Sequence, residues 1–258
     1  MLLKPEDALC CTLRMKPYRL GPTHTFPSPE LADRQGLLAI GGDLSPQRLL
    51  AAYREGIFPW PPSFPGVPED LDPLLWYCPD PRAVLPLPPR TLSRTVRRAL
   101  KNHPWTLAFD RDPEHILRAC ALTPRSHGSG TWLQERMIRA FLALYELGYM
   151  HTLGAYDAQG HLVAGLYGVS IGKMFAAESM FTWENNASKV VLASLLATLS
   201  ARDFHFVDVQ VPSDHLFSYG LECWPRKHYL RMLRRAIEDE TTPSSWRDQT
   251  VLSQWQDA

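Results

Sequence analysis

The sequence predicts an α+β fold, because helix-type and strand-type segments are grouped along the chain instead of alternating strictly. Three strand-type segments follow one another at 150–156, 161–169 and 173–180, separated by the turn residues 157–160 and by Gly172. An apolar helix at 187–201 and a further strand at 204–211 come next, whereas helix-type periodicity at 46–55, 91–102, 115–122 and 134–147 precedes them.

The first helix, 46–55, has start and stop signals. Ser45 is a good N-cap, Pro46 suits the first helical position, and Gly56 suits the position after the helix. The helix leads into Phe58-Pro-Trp60, which we expect to form an aromatic edge. From the residues alone Trp60 is more typical of a core position than of a binding site.

Prolines concentrate after this helix. Eleven of the 23 lie between Pro59 and Pro89, and such a stretch is predicted to be extended connecting structure instead of central strand or helix interior. We place a domain boundary inside it, near Asp80. The predicted organisation is a small N-terminal domain, 1–80, and a larger domain, 81–258, in which 105–109 is a short strand candidate.

A basic segment opens the second domain. Residues 81–109 contain no Asp or Glu, and the predicted helix 91–102 puts four cations on one face and apolar residues on the other. A phosphate backbone would suit such a face, and a solvated surface is the alternative. The cations of this segment are Arg82, Arg90, Arg94, Arg97, Arg98 and Lys101.

The strand 204–211 (FHFVDVQV) places Phe204, Phe206, Asp208 and Gln210 on one face. Burying a carboxylate and an amide on an apolar strand is unfavourable unless each is hydrogen-bonded. The pair therefore indicates either a polar network that holds the following loop or a catalytic site.

The amino-acid composition limits the classes of function that the protein can have. The 258 residues carry a formal net charge of zero, so total charge does not indicate a partner. Five cysteines without CxxC spacing argue against a disulfide framework or a structural zinc site and favour a reducing cytoplasm. No apolar stretch reaches the ~18 residues of a membrane span. The nine histidines show no metal-ligand spacing, and we expect neither metal nor cofactor.

Several motifs, taken in order, resemble the leucyl/phenylalanyl-tRNA–protein transferases. They are GLLAIGGDLS at 36–45, GIFPW at 56–60, GTW at 130–132, FAAESMF at 175–181, ENNASK at 184–189 and DVQ at 208–210. The resemblance implies a C-terminal domain with an acetyltransferase-like (GNAT) fold and a mostly antiparallel mixed sheet. It also implies a cytoplasmic monomer that moves Leu, Phe and, less so, Met from aminoacyl-tRNA to the N-terminal α-amine of proteins beginning with Arg or Lys, which marks them for N-end rule degradation.

The resemblance also assigns roles. It implies that Gln210 contacts the attacking amine, that Asp208 orients both Gln210 and the amine, and that the basic segment meets the tRNA acceptor stem. Because the ester is already activated, such a site needs mainly to position two reactants and manage one proton. Phe141 stands where the family pattern has Tyr, and Leu166 stands where it has Met. The substrate site by resemblance is Trp60 and Trp132 against the terminal adenosine, with Phe141, Leu166, Phe175, Glu178 and Met180 around the aminoacyl group.

Two other functions remain open from the sequence. RSHGSG at 125–130 matches a CoA-binding loop pattern, which would indicate a CoA-dependent N-acyltransferase, although a helix and not a strand is predicted before it. The basic segment and eight tryptophans also allow a non-catalytic tRNA-binding adaptor. The polar pair Asp208 and Gln210 on strand 204–211 favours an enzyme over an adaptor, because tRNA binding alone does not require buried polar side chains on an apolar strand.

Overall fold

The computed structural model describes residues 17–60, 73–89, 92–123, 133–239 and 243–252, and within them a small N-terminal sheet precedes a larger sheet flanked by helices. The helices are α1 Pro46–Arg54, α2 Arg94–Lys101, α3 Pro113–Leu122, α4 Glu135–Glu146, α5 Ala187–Ala201 and α6 Arg226–Ala236. The strands are β1 Tyr18–Leu20, β2 Leu37–Gly41, β3 Phe58–Pro59, β4 Leu75–Tyr77, β5 Arg82–Pro86, β6 Thr106–Phe109, β7 Met150–Tyr156, β8 Leu162–Ile171, β9 Met174–Thr182, β10 Phe206–Gln210 and β11 Glu222–Trp224.

The small sheet has the order β1-β2-β4-β3, with β1 parallel to β2 and the other pairs antiparallel. Helix α1 supports it, and the predicted N-cap is observed, since the Ser45 hydroxyl accepts from the backbone N–H of Arg48 at 3.4 Å. The fully buried Trp76 on β4 donates its indole N–H to the Gly41 carbonyl at 2.8 Å. This sheet holds Phe58 and Trp60 beside the larger sheet.

The large sheet has the order β11-β5-β10-β9-β8-β7-β6 and is antiparallel except where β10 pairs parallel with β9. One face packs against α2 and α5 in one hydrophobic cluster. The other face packs against α3, α4, α6 and the small sheet in a second cluster. The α+β organisation with mixed sheets is therefore present, and the assignment of the large sheet to the acetyltransferase-like fold stays a prediction, as does the boundary at Asp80.

Most predicted elements are confirmed to within a few residues, including the three consecutive strands and the helix Ala187–Ala201. The prediction that the proline-rich stretch holds no central strand is wrong, because β5 lies between β11 and β10. Residues 83–85 contain no proline, so every backbone N–H needed inside this strand is present. The predicted helix at 91–102 is shorter than expected and begins at Arg94, with the Ser93 hydroxyl as its cap.

Candidate active site

Two irregular strand positions bring polar side chains together on the face that packs against α6 and the small sheet. The pairing of β10 with β9 extends to Asp208 opposite Ala176, and the register of β10 against β5 then shifts before Gln210, whose φ is +58°. On β9 the register against β8 shifts between Ser179 and Ala177, which leaves Glu178 as an extra residue. Such bulges re-aim side chains, and these two aim Glu178 and Gln210 toward each other.

Asp208 lies at the bottom of the site with 1% exposure, and its hydrogen-bonding positions are filled. Arg82 binds it in a bidentate manner, with Nε to Oδ1 at 2.8 Å and Nη2 to Oδ2 at 2.7 Å. The Tyr229 hydroxyl donates to Oδ2 at 2.9 Å, and the backbone N–H of Gln210 donates to Oδ1 at 3.0 Å. Asp208 therefore fixes its neighbours and leaves no oxygen for a substrate amine.

Arg82 is itself held between two aromatic rings, with its guanidinium carbon 4.7 Å from the Phe58 centroid and 4.6 Å from that of Tyr229. Burial opposes its charge, but the Asp208 carboxylate outweighs burial and raises the pKa of the guanidinium above its ordinary value. The structure thus corrects the placement of Arg82. We predicted that it joins the basic surface that meets tRNA, whereas it is 1% exposed and belongs to the polar core of this site.

Glu178 is half-buried and receives two hydrogen bonds on one oxygen, Oε1. The Tyr53 hydroxyl donates at 2.8 Å, and the side-chain amide of Gln210 donates through Nε2 at 3.0 Å. Burial raises the pKa of Glu178 to about 8, and the negative charge of Asp208 adds to this, while the bonds from Tyr53 and Gln210 and the charge of Arg82 oppose it. Glu178 therefore keeps its proton to a higher pH than an ordinary glutamate does.

The amide of Gln210 links the two carboxylates. Because Nε2 donates to Glu178 and the backbone N–H donates to Asp208, the orientation of the amide is set and its carbonyl oxygen is directed away from both. Gln210 is 8% exposed, so this oxygen lies at the edge of the buried network. It can accept a hydrogen bond from a substrate N–H.

The structure divides the predicted aminoacyl pocket between the two faces of the sheet. Leu166 and Phe175 are buried in the cluster of α5, and Met180, which pairs with Leu166, packs against that same cluster. Glu178 points to the opposite face. Regular strand alternation predicts Met180 and Glu178 on one face, and this prediction is wrong because the bulge at Glu178 reverses the alternation beyond it.

Phe141 lies in the core and does not border the site. It is fully buried on α4 and makes an edge-to-face contact with Tyr167 at 5.1 Å between ring centroids. We predicted a substrate contact at this position, and a side chain with no exposed surface cannot make one in this conformation.

Trp60 is 40% exposed, which contradicts the core position that its residue type alone indicates. Its backbone is fixed because its N–H donates to the Leu75 carbonyl at 2.9 Å, and its ring lies 6.3 Å from Phe58 and 6.2 Å from Tyr77. An exposed indole on a rigid aromatic base is suited to stacking against a nucleobase. Trp132, Arg90 and the segment 125–130 lie outside the described residues.

The basic face predicted on α2 has the expected exposure. Val96 and Leu100 are buried in the cluster of α5, while four cations point to solvent, and none of the four has an ion-pair partner among the residues that the structure describes. A phosphate backbone could approach this face without first displacing a carboxylate. The four residues are Arg94, Arg97, Arg98 and Lys101.

Sequence reasoning missed Tyr53 and Tyr229, the two hydroxyl donors of the site. Tyr53 shares the helical spacing of the apolar residues of α1, so nothing local separates it from a core residue. Tyr229 is likewise buried on the apolar face of α6. Across the described ranges no group of three His, Cys, Asp or Glu side chains could hold a metal ion, and no helix has the length and hydropathy needed to cross a membrane.

Comparison with known proteins gives a consistent result. A family model described as leucyl/phenylalanyl-tRNA protein transferase matches residues 84–234, and a model of the N-terminal domain of these transferases matches residues 42–80. A leucyl/phenylalanyl-tRNA–protein transferase of Maridesulfovibrio salexigens is 43% identical over 229 residues, which cover 89% of this chain and 92% of the relative. The transferase of Xylella fastidiosa strain M23 is 44% identical over 238 residues, covering 91% of this chain and 95% of the relative.

Solved structures are more distant. A conserved protein of unknown function from Staphylococcus epidermidis aligns with a TM-score of 0.39 at 8% identity, covering 73% of this chain and 68% of its own. L-PGS from Bacillus licheniformis aligns with a TM-score of 0.38 at 10% identity, covering 69% of this chain and 54% of its own. These similarities are too weak to carry an argument about fold or function.

Proposed function

The chain belongs to the leucyl/phenylalanyl-tRNA–protein transferase family, and we propose that it transfers leucine, phenylalanine and, less efficiently, methionine from aminoacyl-tRNA to the N-terminal α-amine of proteins beginning with Arg or Lys. In this reaction a C–N bond forms, the ester C–O bond breaks, and the ribose hydroxyl leaves with one proton while the amine loses one. Acceptors modified in this way are marked for degradation.

The observation that carries the proposal is the hydrogen-bonded chain from Asp208 through Gln210 to Glu178. Gln210 acts at the reacting atoms, since its carbonyl oxygen accepts an N–H of the attacking amine and directs the nitrogen lone pair toward the ester carbon. Correct positioning of two reactants can contribute roughly 7–11 kcal/mol to lowering the barrier. Asp208 acts as a positioning residue through Gln210, because its oxygens are already occupied.

Glu178 accepts the proton that the attacking amine loses. A free α-amine has a pKa of about 7.7–8.0 and must be neutral to attack. A carboxyl whose pKa is about 8 and which contacts Gln210 is matched to accept the proton that the amine loses.

By resemblance, Leu166, Phe175 and Met180 on the α5 side receive the aminoacyl side chain, and because Leu166 and Phe175 are buried in the core, their side chains must move to admit it. An apolar pocket discriminates weakly, because one methylene is worth only about 1–3 kcal/mol. Selection of Leu, Phe and Met together is therefore physically natural. Trp60 would stack on the terminal adenosine, with Trp132 as a predicted second ring, and the basic face of α2 would bind the acceptor stem.

For the large sheet we propose the acetyltransferase-like arrangement, supported by a single parallel pair, β10 with β9, in a sheet that is otherwise antiparallel. Superposition of an experimental structure on solved acetyltransferases tests this. The protein is further proposed to be a cytoplasmic monomer, which light scattering coupled to size-exclusion chromatography tests for the oligomeric state.

The function is tested by transfer of radiolabelled leucine and phenylalanine from charged tRNA to a reporter that begins with Arg, beside a matched reporter that begins with Met. We expect label on the Arg reporter only. Tight tRNA binding without transfer to either reporter would favour a non-catalytic adaptor. Absence of both tRNA binding and transfer from tRNA, together with acylation of the reporter from acyl-CoA, would favour the CoA-dependent reaction.

A further inference from the structure

Helix α6 carries a second basic face that the proposed reaction does not use. Its buried side holds Tyr229, Leu230 and Leu233 against the rest of the protein. Its exposed cations recur at positions i, i+4, i+7 and i+8, which places them within one stripe along the helix. These residues are Lys227, Arg231, Arg234 and Arg235.

Local electrostatics disfavour the first half of this face, whereas Arg234 and Arg235 lie in the last turn, where the helix dipole favours a cation. Helix α6 contains no Asp or Glu, and Lys227 lies in the first turn, where the helix dipole is positive and a cation is unfavourable. The i,i+4 pairs Lys227–Arg231 and Arg231–Arg235 are like-charged and repel. In the described part of the chain no carboxylate forms an ion pair with any of the four, and Arg231 bonds instead to Nδ1 of His228 at 2.7 Å. An external anion would relieve this repulsion.

The length and chemistry of the face fit a nucleic acid backbone. From Lys227 to Arg235 the helix rises about 12 Å, and a duplex presents one phosphate charge per roughly 1.7 Å of its axis. A protein partner would be expected to find aromatic or aliphatic anchors at the centre of its interface. None of the large exposed apolar side chains among the described residues belongs to α6.

We propose that the basic face of α6 binds the phosphate backbone of the aminoacyl-tRNA at a place separate from the contact on α2. This inference rests on the proposed function. Helix α2 follows β5 and packs on one side of the sheet, while α6 follows the edge strand β11, which pairs with β5, and packs on the other side. One tRNA that reaches around this edge contacts both helices. Its reactive end then lies at the active site, to which α6 contributes Tyr229.

The test neutralises the face in the full-length protein with the fourfold variant Lys227→Gln, Arg231→Gln, Arg234→Gln and Arg235→Gln. The matched control removes four exposed cations elsewhere, Arg19→Gln, Arg34→Gln, Arg111→Gln and Arg139→Gln. Fluorescence anisotropy with purified tRNA gives the dissociation constant over a series of salt concentrations. Each lost phosphate contact lowers the slope of log K against log[salt] by about 0.7–0.9, so the α6 variant, which loses four cations, is expected to lose up to about 3.6 from the slope. The control variant is expected to keep the wild-type slope.

A second arm separates tRNA binding from damage to the site. Phenylalanyl-adenosine contains the reactive ester but not the tRNA body, so the α6 variant is expected to use it at the wild-type rate while losing at least tenfold in kcat/KM with Phe-tRNA. A wild-type salt slope in the α6 variant, or an equal loss of kcat/KM with phenylalanyl-adenosine and with Phe-tRNA, would overturn the inference. Retained tRNA binding, with transfer lost for a protein acceptor but kept for a short peptide, would assign the face to the acceptor and also overturn it. A wild-type protein that transfers from neither substrate refutes the proposed function, and anisotropy then still decides the role of α6.

Discussion

The two carboxylates of the site lie on neighbouring parallel strands, share one glutamine, and have opposite surroundings. Asp208 on β10 is buried with a guanidinium and receives four hydrogen bonds, so its charge is fully compensated. Among the residues that the structure describes, Glu178 on β9 receives hydrogen bonds only from the neutral donors Tyr53 and Gln210, on a single oxygen. The difference indicates a division of labour, in which the Asp208 side fixes geometry and the Glu178 side carries a proton.

The largest effect is expected from Asp208→Asn. Loss of this charge leaves Arg82 buried without a counter-ion, and breaking a buried pair in this way costs about 3–5 kcal/mol. Thermal or urea denaturation measures the free energy of unfolding, and the transfer assay measures activity. The double variant Arg82→Met/Asp208→Asn should regain much of the stability and remain inactive. A double variant that regains activity would show that the pair has no positioning role.

Next in size is Gln210→Ala, which removes the link between the two carboxylates. We expect transfer to fall by about 10²-fold or more, since the amine loses its acceptor, with little change in tRNA affinity. Anisotropy with tRNA and single-turnover kinetics measure the two quantities separately. A parallel loss of affinity and rate would place Gln210 in substrate binding instead.

A smaller effect, but the most specific one, is expected from Glu178→Gln. The folded protein holds a proton on Glu178 with a pKa of about 8, against 4.5 for an unperturbed glutamate. Its contribution to stability is therefore complete below pH 4.5 and is lost as pH rises toward 8. Unfolding free energies measured across this range should fall with pH more steeply in the wild type than in the variant. The pH–rate profile of transfer should also lose one ionisation near 8. Identical slopes for the two proteins would exclude the elevated pKa.

The smallest effects compare two tyrosines. Tyr229→Phe removes a hydrogen bond to the charged Asp208, which is worth about 1.5–3 kcal/mol, whereas Tyr53→Phe removes one from the largely protonated Glu178, worth about 0.5–1.5 kcal/mol. Chemical denaturation of both variants at pH 7 measures the difference. At pH 9, where Glu178 is ionised, the cost of Tyr53→Phe should approach that of Tyr229→Phe. Equal costs at pH 7 would indicate that both carboxylates are charged there.

Local signals were enough to predict much of the fold. The cap at Ser45, the turn residues between strands and the apolar run of α5 are determined by neighbours along the chain, so their elements appear where the sequence places them. Asp208 and Gln210 were also identifiable, because burying polar side chains on an apolar strand is unfavourable unless they are hydrogen-bonded.

The partners of these residues were not predictable, because they come from distant parts of the chain. Arg82 and Asp208 are 126 residues apart, and Tyr53 and Glu178 are 125 apart. Nothing beside Arg82 distinguishes it from the surface cations that follow it. The bulge at Glu178 has no sequence signal either, and it alone decides which face Met180 occupies.

The guanidinium of Arg82 lies between a ring from the small sheet, Phe58, and a ring from α6, Tyr229, while Tyr53 of α1 reaches Glu178. The active centre is consequently complete only when the beginning, middle and end of the chain have all docked. Two separately expressed fragments divided in the proline-rich stretch would each lack the reaction, and activity on mixing would report their correct assembly. During synthesis, a ribosome-bound chain that has not yet emerged as far as Tyr229 has no means of consuming charged tRNA.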